Sequence, residues 1–293
     1  AWLSEWLLSL GADVTGFSLP APTVPSLFDQ LGLRGRMHHN EGDIRDLASV
    51  CTVVKNTRPD FVFHLAAQPL VRLSYDRPVE TYETNIMGTV NILEAVRLSG
   101  AACSIVAITT DKCYENKEWV HSYREEDSMG GYDPYSSSKG AAELVIAAYR
   151  QSYFSGPDSM VGLASARAGN VIGGGDWAMD RIVPDCVRAL QLSNTISVRN
   201  KVATRPWQHV LEPLSGYLWL GACLARVDLS PFGDKLDGGV NFGPALTSNR
   251  TVAELVQEIL KHWPGKWEDK SDPEALHEAK LLNLATDKAY HFL

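Results

Sequence analysis

A doubly wound α/β fold on a parallel sheet is predicted for most of this chain. Three observations predict it. Short apolar runs rich in β-branched and aromatic residues alternate with longer runs of helical period. The apolar runs are continuous, as in strands covered on both faces. The stretches between them are long enough for helical crossovers.

Taken in order, residues 1–10 (AWLSEWLLSL) read as a helix that stops at Gly11. Val14–Phe17 is a short strand, and Leu19–Leu33, with three prolines, is a loop. Met37–Glu41 is a strand leading into Gly42-Asp43, and Asp46–Lys55 is helical. Asp60–Ala66 (DFVFHLA) is a buried strand, Pro78–Leu98 a long helix, and Ser104–Thr110 (SIVAITT) another buried strand. Ser136–Phe154 is helical and Val161–Arg167 is a strand. Past Asn170 the alternation loosens: Gly, Pro and Trp become frequent, and helices near Pro184–Leu192 and Val252–Trp263 stand between loops. The expectation is a nucleotide-binding domain over residues 1–170 and a smaller substrate region over 171–293, with an approximate boundary and interleaved segments. A dinucleotide fold begins with a strand, a glycine-rich turn and a helix. Residues 1–10 read as that helix, so the strand and the glycine turn are expected to precede Ala1.

The chain has 293 residues and is 45% hydrophobic, enough for a large core. It carries 27 Lys+Arg against 35 Asp+Glu, a net charge of -8, which argues against a nucleic-acid binder. An anionic substrate would need local positive charge. The five cysteines are scattered, with no CxxC pair, and read as reduced thiols of a cytoplasmic protein. The eight histidines show no metal-ligand spacing, so no metal is expected. Residues 1–10 carry Glu5 and no basic leader, unlike a secretory signal, and no apolar run approaches a membrane span.

Two motifs carry chemistry. Tyr135 and Lys139 form a YxxxK pair; ten tyrosines in such a chain give about 0.4 such pairs by chance. Here Pro134 precedes the pair and a helical run follows. The i to i+4 spacing puts both side chains on one helix face. An ammonium beside a phenol favours the phenolate, and such a tyrosine can take a proton from a sugar hydroxyl as hydride leaves the same carbon. Thr109-Thr110-Asp111-Lys112 ends a buried strand, where doubly wound sheets bind ligands. A Thr hydroxyl there can bond a substrate oxygen and the carboxyl can act as an acid. Thr-Asp at a strand end is also an ordinary turn opener.

A strand-end Thr followed 25 residues later by Tyr-x-x-x-Lys resembles the triad of the extended short-chain dehydrogenase/reductase family, with its Rossmann fold. The Asp just after the Thr looks like its nucleotide-sugar 4,6-dehydratase branch. APTVPSLF (Ala21–Phe28), HLAAQPLVRLSY (His64–Tyr75), TNIMGTVNILEA (Thr84–Ala95), MGGYDPYSSSKGAAEL (Met129–Leu144), RAGNVIGGGDW (Arg167–Trp177) and RPWQHVLEPLSGY (Arg205–Tyr217) are similar to the CDP-glucose 4,6-dehydratases in particular. The resemblance covers almost the whole chain.

It implies a dehydration by internal redox through NAD, from CDP-D-glucose to CDP-4-keto-6-deoxyglucose. Tyr135 is then the base at the carbon 4 hydroxyl, Lys139 tunes it and holds the nicotinamide ribose, and Thr110 bonds the carbon 4 oxygen. Asp111 protonates the departing carbon 6 hydroxyl. Lys112 is the departure, since the TDP-glucose branch has Glu there as the carbon 5 base. A lysine acts either as a base of depressed pKa or as a fixed cation beside the enolate; the residues leave both open. NAD contacts carry over to Asp43, Ile44, Leu65, Ala66, Ala67, Gln68 and Thr84, although Asp43 and Gln68 also read as ordinary loop residues. The segment Phe17-Ser18-Leu19 shows no obvious acid for the ribose, so NAD over NADP rests on the resemblance.

For the nucleotide diphosphate, Asn170 and Arg205 lead, with Trp177, Arg181, His209 and Arg72 behind them. A lone Arg is otherwise a solvated surface charge. The family pairs the two long helices across a dyad, so a homodimer is expected, or a pair of dimers. Ile86, Val90, Leu93, Val96, Ala142, Val145 and Ala148 are the apolar residues marked for it. Two rival readings remain: a sugar 4-epimerase, against which Asp111-Lys112 argues, and a non-catalytic nucleotide-binding relative, against which the intact triad argues.

Overall fold

The computed structural model describes residues 1–156, 158–225, 236, 238–272 and 281–293. The first half alternates as expected: α1 (Trp2–Ser9), β1 (Thr15–Ser18), α2 (Leu27–Gln30), β2 (His38–Glu41), α3 (Leu47–Thr57) and β3 (Phe61–His64). Then follow α4 (Val71–Asp76), α5 (Pro78–Tyr82), α6 (Gly88–Ser99), β4 (Cys103–Ile108), α7 (Pro134–Tyr149) and β5 (Val161–Ala168). The loop expected over Leu19–Leu33 contains the short helix α2, which Ser26 caps by accepting from the Asp29 backbone N–H.

After residue 170 come β6 (Val171–Ile172), α8 (Ile182–Gln191), β7 (Ile196–Val198), β8 (Thr204–Pro206), β9 (Gln208–His209) and α9 (Leu211–Ala225). The chain continues through β10 (Gly238–Phe242), β11 (Asn249–Thr251), α10 (Val252–His262), β12 (Trp267–Asp269) and α11 (Asp287–Phe292). The central sheet has the order β10-β5-β4-β3 and is parallel throughout, while β1 and β2 form a separate parallel pair.

The sheet is buried on both faces, and strand period assigns alternate residues to each. Ile105 and Leu163 pack with Val50, Val54, Leu93, Val96 and Ile146 from α3, α6 and α7. Val106, Ala164 and Ala166 pack on the other side with Leu3 of α1 and Leu214, Leu220 and Leu224 of α9. The strand expected over Asp60–Ala66 is shorter and less buried: it spans Phe61–His64, and Phe61 is 43% exposed. Among the described residues, β3 ends the hydrogen-bonded order of its sheet.

The long helix over Pro78–Leu98 is α5 and α6 joined by a π-helical turn at Glu83–Met87. α7 likewise ends in a π turn, Arg150–Phe154. Residues beyond 171 divide between two places. α8, β7, α10 and β12 enclose a small core of Cys186, Leu190, Ile196, Val198 and Val256. α9 and β10 instead return to the central sheet.

Candidate active site

The site begins at the carboxyl end of β4. Thr110 follows the strand and caps a single 3-10 turn, Asp111–Cys113, with its hydroxyl accepting from the Lys112 N–H at 3.4 Å. The same hydroxyl donates to Asp111 Oδ1 at 2.9 Å. Opposite stands the first turn of α7. Asp133 caps it, accepting from the Ser136 N–H at 2.9 Å and the Ser136 hydroxyl at 2.6 Å, and Pro134 takes the first helical position. That places Tyr135 where its phenol hydrogen-bonds Thr110. One turn on, Lys139 Nζ donates to the Ile108 carbonyl at 3.2 Å. Tyr135, Lys139, Thr110 and Asp111 are all buried.

Burial sets the electrostatics. It pushes the Asp111 carboxyl up from its ordinary value, against the pull of Lys112, Thr110 and Arg205. It pulls Lys139 down to about 8. The expected depression of Tyr135 is reversed: burial pushes its phenol up to about 12, and the groups that oppose this are Thr110 and Arg181. Lys139 spends its ammonium on the Ile108 carbonyl, and burial outweighs the remaining attraction. His64, also buried and near Lys139, is pushed down to about 3 and is a neutral imidazole bonded to Thr89 at 3.1 Å.

A carboxylate absent from the sequence expectations lies beneath. Glu143 stands one turn past Lys139. Burial pushes it up, but Arg167, Thr109 and Ser165 together hold it below the usual range. Arg167 grips both its oxygens at 3.0 and 2.8 Å and donates to the Tyr114 hydroxyl at 2.7 Å. Tyr114 donates in turn to Asn241 Oδ1 on β10 at 2.7 Å. The i, i+4, i+8 series Tyr135-Lys139-Glu143 was the available signal.

A cavity of about 550 Å³ opens over this floor. It is lined by Thr110, Asp111, Lys112 and Tyr135, and by the expected substrate residues Asn170, Trp177, Arg181, Arg205 and Arg72. Arg199 and Tyr217 line it too and were not anticipated. Four arginines and Lys112 stand on this cavity against Asp111, Asp176, Asp180 and Asp185, so the charges nearly balance where the chain as a whole is -8. Arg181 is paired with Asp176 at 2.8 Å, and Arg199 and Arg72 both face Asp180. His209 does not line the cavity. The pairing of β9 with β6 sends its ring against Trp2, centroids 6.2 Å apart, and its Nδ1 accepts from the Leu211 N–H.

The residues expected to hold the cofactor lie at the ends of β2 and β3. Asp43 chelates Arg45 through both carboxylate oxygens, and the Ile44 carbonyl accepts from Asn91 at 2.9 Å. Leu65 is 46% exposed, and Ala66 and Ala67 follow, both half-buried. The Gln68 side chain braces the loop, donating to the Leu70 carbonyl and Thr81, while its N–H and carbonyl pair with Asn85. Thr84 sits half-buried in the π-helical turn beside Asn85.

Among the described residues no cluster of three or more His, Cys, Asp or Glu is arranged to hold a metal, and no helix is long and apolar enough to cross a membrane.

The sequence model of the family described as GDP-mannose 4,6 dehydratase matches residues 1–220. The chain belongs to this family. Within the 4,6-dehydratases it is 49% identical over 296 aligned residues to a CDP-glucose 4,6-dehydratase of Salmonella typhimurium, covering 99% of this chain and 80% of that protein. Two solved structures share the fold. A dTDP-glucose 4,6-dehydratase of Streptomyces venezuelae, with NAD bound, gives a TM-score of 0.80 at 21% identity, over 99% of this chain and 86% of that one. A UDP-glucose 4-epimerase of Thermotoga maritima, with UDP-glucose, gives 0.81 at 19% identity, over 99% and 87%. Dehydratase and epimerase thus share this architecture, and the identity to the CDP-glucose 4,6-dehydratase is what separates the two readings.

Proposed function

We propose that this protein is a CDP-glucose 4,6-dehydratase, converting CDP-D-glucose to CDP-4-keto-6-deoxy-D-glucose and water with NAD as its resident cofactor. The observation that carries the reading is the 49% identity to a CDP-glucose 4,6-dehydratase along 99% of the chain. The buried acid at Asp111 supports elimination rather than epimerisation.

NAD, when bound, supplies a hydride acceptor at carbon 4 and a donor at carbon 6. Asp43, Ile44, Leu65, Ala66, Ala67, Gln68, Thr84, Tyr135 and Lys139 are the residues proposed to hold it, at the carboxyl ends of β2 and β3 and beside the substrate cavity that Tyr135 lines. Tyr135 removes the carbon 4 hydroxyl proton, with Thr110 bonded to that oxygen. Asp111, whose carboxyl burial pushes upward, is the acid that gives a proton to the carbon 6 hydroxyl. Lys112 is half-buried in the cavity wall, placed to take the carbon 5 proton or to stabilise the enolate. Arg72, Arg181 and Arg205 take the diphosphate, with Arg199 as a further cation, and Asn170 and Trp177 contact the remainder. His209, facing Trp2, is left without a substrate role.

We also propose a homodimer through the helices of residues 78–99 and 134–154. Leu93, Val96 and Ala142, marked for it in the sequence, are core residues of the monomer. The large apolar side chains left outside are Val79, Tyr82, Met87, Leu98, Leu144 and Tyr153, exposed at 68, 36, 49, 57, 63 and 55%.

The test is turnover by the full-length protein with CDP-, TDP- and GDP-linked hexoses, followed as the alkali-developed chromophore of a keto-deoxysugar. Product from CDP-glucose alone, or far faster from it, is expected. Turnover without the chromophore indicates an epimerase, and no turnover a non-catalytic relative.

A further inference from the structure

α9 buries a face made of Leu214, Tyr217, Leu220 and Leu224 against the sheet. Three of these four are leucines, as a helix on an apolar sheet face requires. Tyr217 breaks the series with a hydroxyl. Its ring packs edge-to-face on Phe242, centroids 5.5 Å apart at 81°, and the residue is 4% exposed. A phenylalanine would satisfy that packing. The phenol instead reaches the floor of the substrate cavity, close enough to Asp111 for the two to interact electrostatically. Its hydroxyl has no hydrogen-bond partner among the described residues. The phenol belongs to the cavity wall, so an oxygen of a ligand bound there is the natural acceptor. Burial and the neighbouring Asp111 push its pKa well above the ordinary tyrosine value, so it stays a donor.

We propose that Tyr217 is a further catalytic residue, donating a hydrogen bond to the oxygen that leaves carbon 6. This rests on the dehydratase reading. In the elimination, the carbon 5 proton goes to the base and its electron pair forms the carbon 5–carbon 6 double bond. The carbon 6–oxygen bond breaks toward oxygen, which takes the Asp111 proton and departs as water. Tyr217 keeps its own proton throughout. Its bond steadies the departing oxygen and aligns it with Asp111.

The experiment follows single turnovers of CDP-glucose by the full-length holoenzyme, reading NADH absorbance and product chromophore together. Tyr217→Phe is expected to form NADH at the wild-type rate and to lose elimination by about tenfold, so that NADH accumulates. Its melting temperature should stay equal or rise. Tyr217→Leu, which also removes the ring, should show the same split if the hydroxyl is what matters. Unchanged elimination in Tyr217→Phe, or equal slowing of both steps, overturns the proposal. A wild-type enzyme that forms neither NADH nor product overturns the dehydratase reading itself, and the proposal with it.

Discussion

The phenol of Tyr135 and the ammonium of Lys139 are both held in their uncharged directions by the same burial, up to about 12 and down to about 8. Two predictions follow from the signs. Hydride transfer needs the phenol deprotonated, so its rate should rise with pH across the neutral range. Arg181 is a cation that opposes the upward shift, so Arg181→Gln should move that limb to higher pH as well as weaken binding; kcat against pH in both proteins checks it. Lys139 has a folded value below that of the unfolded chain. Its charged form therefore costs stability in full below about pH 8, and the cost fades as pH rises toward the unfolded value near 10.4. Lys139→Met is expected to abolish turnover yet melt higher than wild type near neutrality, the gap closing in alkali, as thermal melts across pH would show. The residues proposed as catalytic could be picked out because they sit on punctuated local motifs, a strand end and a capped helix. The cavity residues Arg199 and Tyr217 could not, because nothing around them in sequence marks a site: one lies in a loop after a three-residue strand, the other inside an apolar helix.

At the level of elements, the helices and strands read from the sequence lie within a few residues of where they were expected, while the short elements α2, α4, α11, β6–β9, β11 and β12 were not read, nor were two that join the central sheet, α9 and β10. α9 is apolar on most faces and holds Pro213, Gly216 and Gly221, so it shows no stripe of helical period. β10 opens on Gly238 and Gly239, which reads as a turn. Gly239 is in fact needed in the strand, since a Cβ there would lie 2.3 Å from the Arg167 guanidinium. The π-helical turn at Glu83–Met87 was also hidden, because one extra residue per turn leaves the apolar pattern nearly intact. It sets Asn85 inward, bonding the Gln68 carbonyl at 3.1 Å and Ser138 of α7 at 2.8 Å. Asn85→Leu should therefore loosen the loop after β3, raising the Kd for NAD with less effect on CDP-glucose binding; calorimetric titration of each ligand separates the two. On the outer side of the same helices, Met87→Asp with Leu144→Asp is expected to yield a monomer in sedimentation, if the proposed dimer uses that face.

Over the whole molecule, a net charge of -8 surrounds a cavity where four arginines and Lys112 stand against four aspartates. The far field repels an anion, and only guanidinium groups at contact can hold it. Added salt screens both, but binding is decided at contact, where charges lie well inside a Debye length of about 10 Å. The KM for CDP-glucose should thus rise with ionic strength while kcat stays level, a split that steady-state assays in sodium chloride would read. The last consequence concerns the order in which a nascent chain can become an enzyme. Tyr114 bonds Asn241 across 127 residues, and Arg167, through which Glu143 is neutralised, bonds Tyr114. Tyr135, Lys139 and Asp111 leave the ribosome long before Asn241 does, yet the buried acid under them rests on a chain that only β10 completes. During synthesis the catalytic helix must wait, its Glu143–Arg167 pair lacking the far anchor, until the return strand docks beside β5. A ribosome stalled before residue 238 would thus display the triad residues without the fixed floor they stand on, and chaperone binding or protease sensitivity of such stalled chains should end abruptly once β10 has emerged.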